Sequence, residues 1–509
     1  MSLRSSEPSK RAAAPPGEAG QEDDRHDYRG ASSTRVLAAN LRSLGVGQVV
    51  TRLAGFAVVI VLARSLGEAD FGRYTVAVGV VGILALVIQL GMGGYLVREG
   101  ARAPDLLNRL LGHVLVLRTV LGVLAVLVAA ALGVLLGYDR ITLTVLVVLA
   151  VAAVVRELAN SYQAVLLALE RARDAAALQA GQAVAIAAGP LLAVVLGGGV
   201  VTVALATLAG AAITLPWSWR RLRRQWGERA RIELTGIRTT LAVSAVFAAS
   251  HGLHSVLTYL DSVMVHGFLG NVETGLYGAA YRVLLGVFLV PAVYMDATTR
   301  MISRLAHTDR GRMVEVYSRA VAHMTMVGVA LGAGGAILAG PILELLYDEP
   351  YLRATGALAI LLPGAIFAVP MWMTAMTAYA LGLQNRVAIT WGLAVLANAV
   401  ANLFLIPRFG IEGAAAASVA AEAFAMVAVT VMLRRAGVRA NLLESFGKPL
   451  VAGAMMCAAV WPLRELPLPI PIAAGAAAFL LGLLLLRAFG PDDRALLRAL
   501  TRRRATAGF

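Results

Sequence analysis

LGEADFGRYTVA at Leu66 to Ala77 and LGNVETGLYGAA at Leu269 to Ala280 are two copies of one pattern, and their alignment sets the organisation of the chain. Leu66, Gly67, Gly72, Tyr74 and Ala77 correspond to Leu269, Gly270, Gly275, Tyr277 and Ala280, each pair 203 residues apart. Each copy separates two apolar stretches, 44–66 from 74–97 and 241–268 from 276–295. Ten more follow the same rule: 113–137, 141–169, 178–196, 200–219, 320–346, 354–381, 387–406, 413–433, 450–463 and 470–486. About 20 apolar residues carry an α-helix across a hydrocarbon core of about 30 Å. A chain of 509 residues, 59% hydrophobic and 15% charged, is therefore expected to be an all-α integral membrane protein with about fourteen transmembrane helices. The thirteenth stretch is short and closed by Pro462. Continuously apolar runs exclude a β-barrel, whose strands alternate.

Six stretches separate the two copies. Six is even, so the copies have the same sense, which predicts two parallel six-helix lobes related by an axis along the membrane normal, with two C-terminal helices appended. The expected order is a disordered tail (1–35), an N-lobe (36–219), a basic linker (220–238), a C-lobe (239–435), helices thirteen and fourteen (436–490) and a basic tail (491–509). The first segment is polar and contains Pro8, Pro15 and Pro16, without the apolar run of a cleavable signal.

Arginine and lysine give the orientation. Twenty-two lie in one set of alternate connections, seven of them between Arg220 and Arg238; the opposite set holds six, Arg64, Arg73, Arg140, Arg353, Arg408 and Arg464. By the positive-inside rule both termini and the 220–238 linker are expected in the cytoplasm. The net charge of +15 is mostly this signal, and no recognition motif supports a nucleic-acid partner. A single cysteine, Cys457, permits neither an intrachain disulfide nor a cysteine metal cluster. No P-loop is present, and no external connection exceeds about a dozen residues, short for a membrane polymerase or ligase that holds an acceptor. Transport without a cofactor or metal is expected, not catalysis.

Charged residues inside the stretches cost about 2.5–3.5 kcal/mol each at the centre of an isolated helix, so they face the protein interior or a cavity. Arg156, Asn160 and Gln163 stand at i, i+4 and i+7 and form one polar stripe; Gln48 and Arg52 form a shorter one. Glu157 lies about 100° off the first stripe and needs another partner. Arg52, Arg156 and Arg282 are candidates for an anion, because a guanidinium stays protonated and grips phosphate oxygens in pairs. The competing role is a buried ion pair such as Arg282 with Asp261. Arg64, Arg98, Arg118 and Arg300 are expected at helix ends. Asp261, Glu422 and Glu157 are either coupling carboxylates for protons or sodium, or counter-ions. His251 and His254 lack a third metal ligand nearby in sequence, and Asn398 and Asn402 are expected to bond between helices. Pro291, Pro363 and Pro370 are expected to bend the eighth and tenth stretches.

LARSLGEADFGRYTVA at Leu62 to Ala77, QLGMGGYLVREGAR at Gln89 to Arg102, YLDSVMVHGFLGNVETGLYGAAYRV at Tyr259 to Val283, ELLYDEPYLRA at Glu344 to Ala354 and LIPRFGIEGAAAASVAAE at Leu405 to Glu422 occur in that order. Together they resemble the polysaccharide transport proteins of the multidrug/oligosaccharidyl-lipid/polysaccharide exporter superfamily over about residues 36–435. The resemblance implies a bacterial inner-membrane flippase for polyprenyl-diphosphate-linked oligosaccharide, working by alternating access around a cationic cavity. It implies partners among membrane lipids and glycan polymerase or assembly proteins, and Arg282 resembles a cavity arginine of related lipid II flippases. The alternatives are lipid II itself as substrate, or a cation-coupled drug exporter, whose cavity would favour acidic and aromatic groups.

Overall fold

In the computed structural model, residues 21–488 are described apart from 229, 289–290 and 442; side chains are described from Gly55 on, except at 245–251, 293, 296 and 443. Among the described residues the secondary structure is helical. The helices are α1 (Gln21–Gln89), α2 (Met92–Arg102), α3 (Leu107–Leu135), α4 (Arg140–Ala168), α5 (Ala172–Val195), α6 (Val200–Trp226), α7 (Ile237–Val287), α8 (Ala292–Thr308), α9 (Arg310–Ile337), α10 (Ala339–Leu346), α11 (Thr355–Leu361), α12 (Ala365–Ala380), α13 (Gln384–Arg435), α14 (Lys448–Val460) and α15 (Pro469–Leu485). The first begins inside the segment expected to be a tail, and α6 runs through the basic residues of the expected linker as far as Trp226.

Three of these helices are each two crossings joined at a glycine. Gly67 (φ 72°, ψ 169°) interrupts α1, Gly270 (φ 82°, ψ −167°) interrupts α7 and Gly410 (φ 59°, ψ −140°) interrupts α13. Such dihedrals are close to closed to residues with a Cβ. Nine helical stretches among the described residues are long and apolar enough to span a membrane, and Gly55–Arg102 and Gln384–Arg435 each hold two crossings. With the two halves of α7 and the shorter Pro469–Leu485, the architecture is consistent with fourteen crossings. Leu135, Val195 and Phe404 are 81%, 78% and 61% exposed in the isolated chain, as lipid-facing side chains must be. The tenth crossing is broken by a 3₁₀ turn at Leu362–Gly364 containing Pro363; Pro370 lies within α12 and Pro291 caps α8.

The two sequence copies meet each other. A Cβ on Gly72 would lie 1.8 Å from the Asn271 carbonyl oxygen and 3.0 Å from the Gly275 nitrogen; a Cβ on Gly275 would lie 2.0 Å from the Glu68 carbonyl oxygen and 3.1 Å from the Gly72 nitrogen. Asn271 is the counterpart of Glu68, and Gly275 of Gly72. Gly278 likewise abuts Thr75, its own counterpart. Reciprocal contacts between equivalent positions are the mark of a two-fold axis. The lobes are thus parallel, with the turns at Gly67 and Gly270 on one face.

That face is fastened. Arg64 donates to the carbonyls of Leu346 (2.9 Å) and Leu345 (2.6 Å), and the Tyr351 hydroxyl donates to the Ala63 carbonyl (2.9 Å). Arg64 therefore serves as an inter-lobe contact, not merely a helix-end cation. Arg353 pairs with Glu273 at 2.6 Å and reaches Glu68 at 4.0 Å. On the opposite face the 227–236 connection packs on the start of α3, where the Arg231 N–H donates to the Asn108 carbonyl at 3.0 Å.

Candidate functional site

Arg282 sits twelve residues beyond Gly270, and Gly55 twelve before Gly67, so each is about 18 Å from its kink at 1.5 Å per residue. They line one cavity of about 300 Å³ between the lobes, walled by Phe56 and Val59 of α1 and Gly286 and Phe288 beyond Arg282. The cavity thus lies about 18 Å along α1 and α7 from the kinks of the first two helix pairs. Arg156 is a half-exposed side chain of α4. Arg52 and Gln48 lie outside the residues whose side chains are described, and so does His251.

The rest of the α4 stripe divides. Glu157 is buried and forms an ion pair with Arg118 at 3.5 Å, each side chain at most 4% exposed. Arg118 also donates to Ser161 Oγ (2.8 Å) and to the Glu157 carbonyl. Arg118 is therefore a core residue and not the helix-end cation expected, because the buried Glu157 requires a positive partner. Gln89 and Asn160 each donate to Glu157 Oε1 at 3.2 Å, which turns Asn160 toward the ion pair; Arg156 stands 4.0 Å from the same oxygen. Gln163 is half-buried one turn further on. Glu157 is thus held as a counter-ion.

Asp261 is fully buried in α7. Its carboxylate accepts from the Tyr277 hydroxyl (2.8 Å), from Asn402 Nδ2 (2.6 Å) and from the Ser418 hydroxyl, while Asn402 also donates to Asn398 Oδ1 at 3.1 Å. No basic side chain among the described residues lies within salt-bridge distance, so the Arg282 pairing is not made. Asn402 Oδ1 is buried and without a hydrogen-bond partner among those residues. The donors follow from the kinks: Asp261 and Tyr277 lie on either side of Gly270, Asn402 and Ser418 on either side of Gly410. Tyr277 was legible only as a repeat landmark and Ser418 only as part of the Leu405 to Glu422 landmark.

Glu422 has a different neighbour. Its Oε1 is 3.6 Å from His254 Nε2, and its Oε2 is buried without a hydrogen-bond partner. No group of three His, Cys, Asp or Glu able to hold a metal occurs among the described residues.

A family model described as "Polysaccharide biosynthesis protein" matches residues 37–295, just over half of the chain. The chain belongs to the polysaccharide biosynthesis protein family. Two curated relatives come from Haloferax volcanii. "Probable flippase AglR" is 24% identical over 220 residues, 42% of this family member and 46% of AglR, so less than half of AglR's length is spanned. "Probable low-salt glycan biosynthesis flippase Agl15" is 21% identical over 391 residues, 76% of this chain and 79% of Agl15. Among solved structures, the lipid II flippase MurJ in an inward closed conformation superposes with a TM-score of 0.72 at 14% identity, covering 87% of this chain and 98% of MurJ. An inward-facing multidrug-resistance MATE transporter gives 0.61 at 16% identity, covering 76% and 94%. These likenesses establish the fold: the chain is a multi-pass membrane protein with the two-lobed architecture of those structures.

Proposed function

We propose that this protein is a flippase that carries a polyprenyl-diphosphate-linked oligosaccharide across the cytoplasmic membrane by alternating exposure of the space between its lobes. The observation that carries the proposal is Arg282 in a cavity between the lobes, with Arg156 half-exposed on α4 of the other lobe. A diphosphate must shed water to pass there, and fixed guanidinium groups replace that hydration. An organic cation would meet repulsion at the same point. The names of the Haloferax relatives, both flippases, support the assignment. The positive-inside bias of the arginine-rich connections favours a cytoplasmic 220–238 segment, and with it an external position for the fastened face. Asp261, the buried carboxylate without a basic partner, is the place for a coupling proton or sodium ion.

The test uses proteoliposomes containing a fluorescent short-chain polyprenyl-diphosphate oligosaccharide, with flipping normalised to inserted protein. Arg282→Ala and Arg156→Ala should each reduce transport at least tenfold, and Lys should rescue only in part because it loses the bidentate fork. Normal transport by the double alanine variant overturns the proposal.

A further inference from the structure

A second cavity, of about 380 Å³, shares its Leu285–Phe288 wall with the Arg282 cavity. It lies among α7, α12 and α13 and is lined by His254, Trp372, Tyr379, Trp391 and Glu422. The His254 ring is 4.5 Å from Trp391 and 6.1 Å from Trp372, both edge to face, and Trp391 is hydrogen-bonded to Tyr379. Trp391 is buried, whereas Trp372 is 39% exposed and presents its ring to the space. Glu422 Oε1 is 3.6 Å from His254 Nε2, and Glu422 Oε2 has no hydrogen-bond partner among the described residues.

The geometry points to a sugar-ring subsite in this cavity: the first saccharide of the headgroup stacks on Trp372 while Glu422 and His254 bond its hydroxyls. The proposal rests on the flippase function above and deepens it. Ligand pockets of about 300–1,000 Å³ combine apolar walls with a few placed polar groups, and this one fits that description. Aromatic faces carry partial negative charge and accept the polarised C–H face of a pyranose, while a carboxylate and an imidazole accept and donate to its hydroxyls. An organic cation also suits indole and carboxylate. Two observations favour the neutral polyol: His254 already shares the carboxylate, and the adjoining cavity holds the Arg282 guanidinium. Adjacency matters as well, because in a lipid-linked glycan the first sugar is bonded directly to the diphosphate. An anion-binding pocket and a sugar pocket with a common wall match that connectivity.

The experiment is saturation-transfer NMR on the detergent-purified full-length protein with methyl glycosides of a hexose, an N-acetylhexosamine and a 6-deoxyhexose. Inorganic pyrophosphate and tetraphenylphosphonium serve as anion and cation probes. At least one glycoside should receive saturation at its ring C–H protons, at least fivefold less in Trp372→Ala and in Glu422→Gln. Arg282→Ala should keep that signal and lose pyrophosphate binding. Trp372 is partly exposed and Glu422→Gln preserves shape, so melting curves matching wild type are expected for both. No transfer to any glycoside overturns the subsite, as does transfer unchanged in both pocket variants, whatever Arg282→Ala does to pyrophosphate. Tetraphenylphosphonium binding that depends on Glu422, without glycoside binding, assigns the pocket to cations instead. Pyrophosphate binding unaffected by Arg282→Ala counts against the flippase mechanism alone.

Discussion

Gly72→Ala and Gly275→Ala should weaken closure of the fastened face, and by the same amount. Carbon and oxygen approach no closer than about 3.3 Å even in weak C–H···O contacts. With 1.8 Å available at Gly72 and 2.0 Å at Gly275, the added methyl must move the facing backbone by about 1.5 Å and 1.3 Å. In each case that backbone belongs to the first turn of the counterpart helix after its kink, so relief of the clash moves the lobes apart. Overpacking of this kind costs about 1–3 kcal/mol, which shifts a two-state equilibrium roughly 5- to 150-fold. The assay is electron–electron distance measurement between spin labels at the exposed Arg140 and Glu349, in a Cys457→Ser background. Both variants should move the distribution toward longer distances. An unchanged distribution in both refutes the close-packed axis, and a shift in only one refutes its symmetry.

Arg118→Met should lower stability by about 3–5 kcal/mol, because it strands the buried Glu157 charge. Adding Glu157→Gln should recover most of the loss; a double-mutant cycle by thermal unfolding in detergent checks it, and additive effects refute the pairing. Asp139 lies outside the spans, capping α4 through the Thr142 N–H at 3.0 Å and pairing with Arg73 at 2.9 Å. Burial raises its carboxyl pKa, but the Thr142 hydrogen bonds and Arg73 outweigh burial and leave it lowered. A lowered carboxylate pKa stabilises the fold above the unfolded value, about 4, and that contribution fades as pH falls through the folded value. Asp139→Asn keeps a good cap and removes only the charge. Its small melting deficit at pH 7 should therefore begin to shrink near about pH 4 and vanish only once pH has fallen below the lowered folded value; a deficit constant with pH refutes the assignment.

The crossings, the repeat and the parallel lobes were all legible in sequence, because lipid demands continuous apolar runs and the paired glycines mark backbone that other residues rarely adopt. Gly72 and Gly275, which meet at the axis, are among the repeat's defining positions, although the repeat alone gave the direction of the axis and not its place. The side-chain partners were less accessible. Arg118 and Glu157 are separated by 39 positions on two helices whose periodicity is nearly all apolar, so no local spacing announces the pair. His254 and Glu422 each stood out in sequence, but they and Trp372 come from three helices, so no local spacing joined them. Asn402, expected to bond between helices, does so, and its partner Asp261 was legible as a buried carboxylate but not as the acceptor of these donors.

The arrangement around Asp261 has a mechanical consequence. One carboxylate receives hydrogen bonds from both sides of the Gly410 bend and, through Tyr277, from the far side of the Gly270 bend. Two helix pairs are thereby held together by a single pin. Neither pair can splay apart while the carboxylate keeps its donors, and anything that withdraws it, such as a proton or a competing cation, loosens both in one event. The angle that places Arg282 is then set several residues away, by a group that need never touch the cargo.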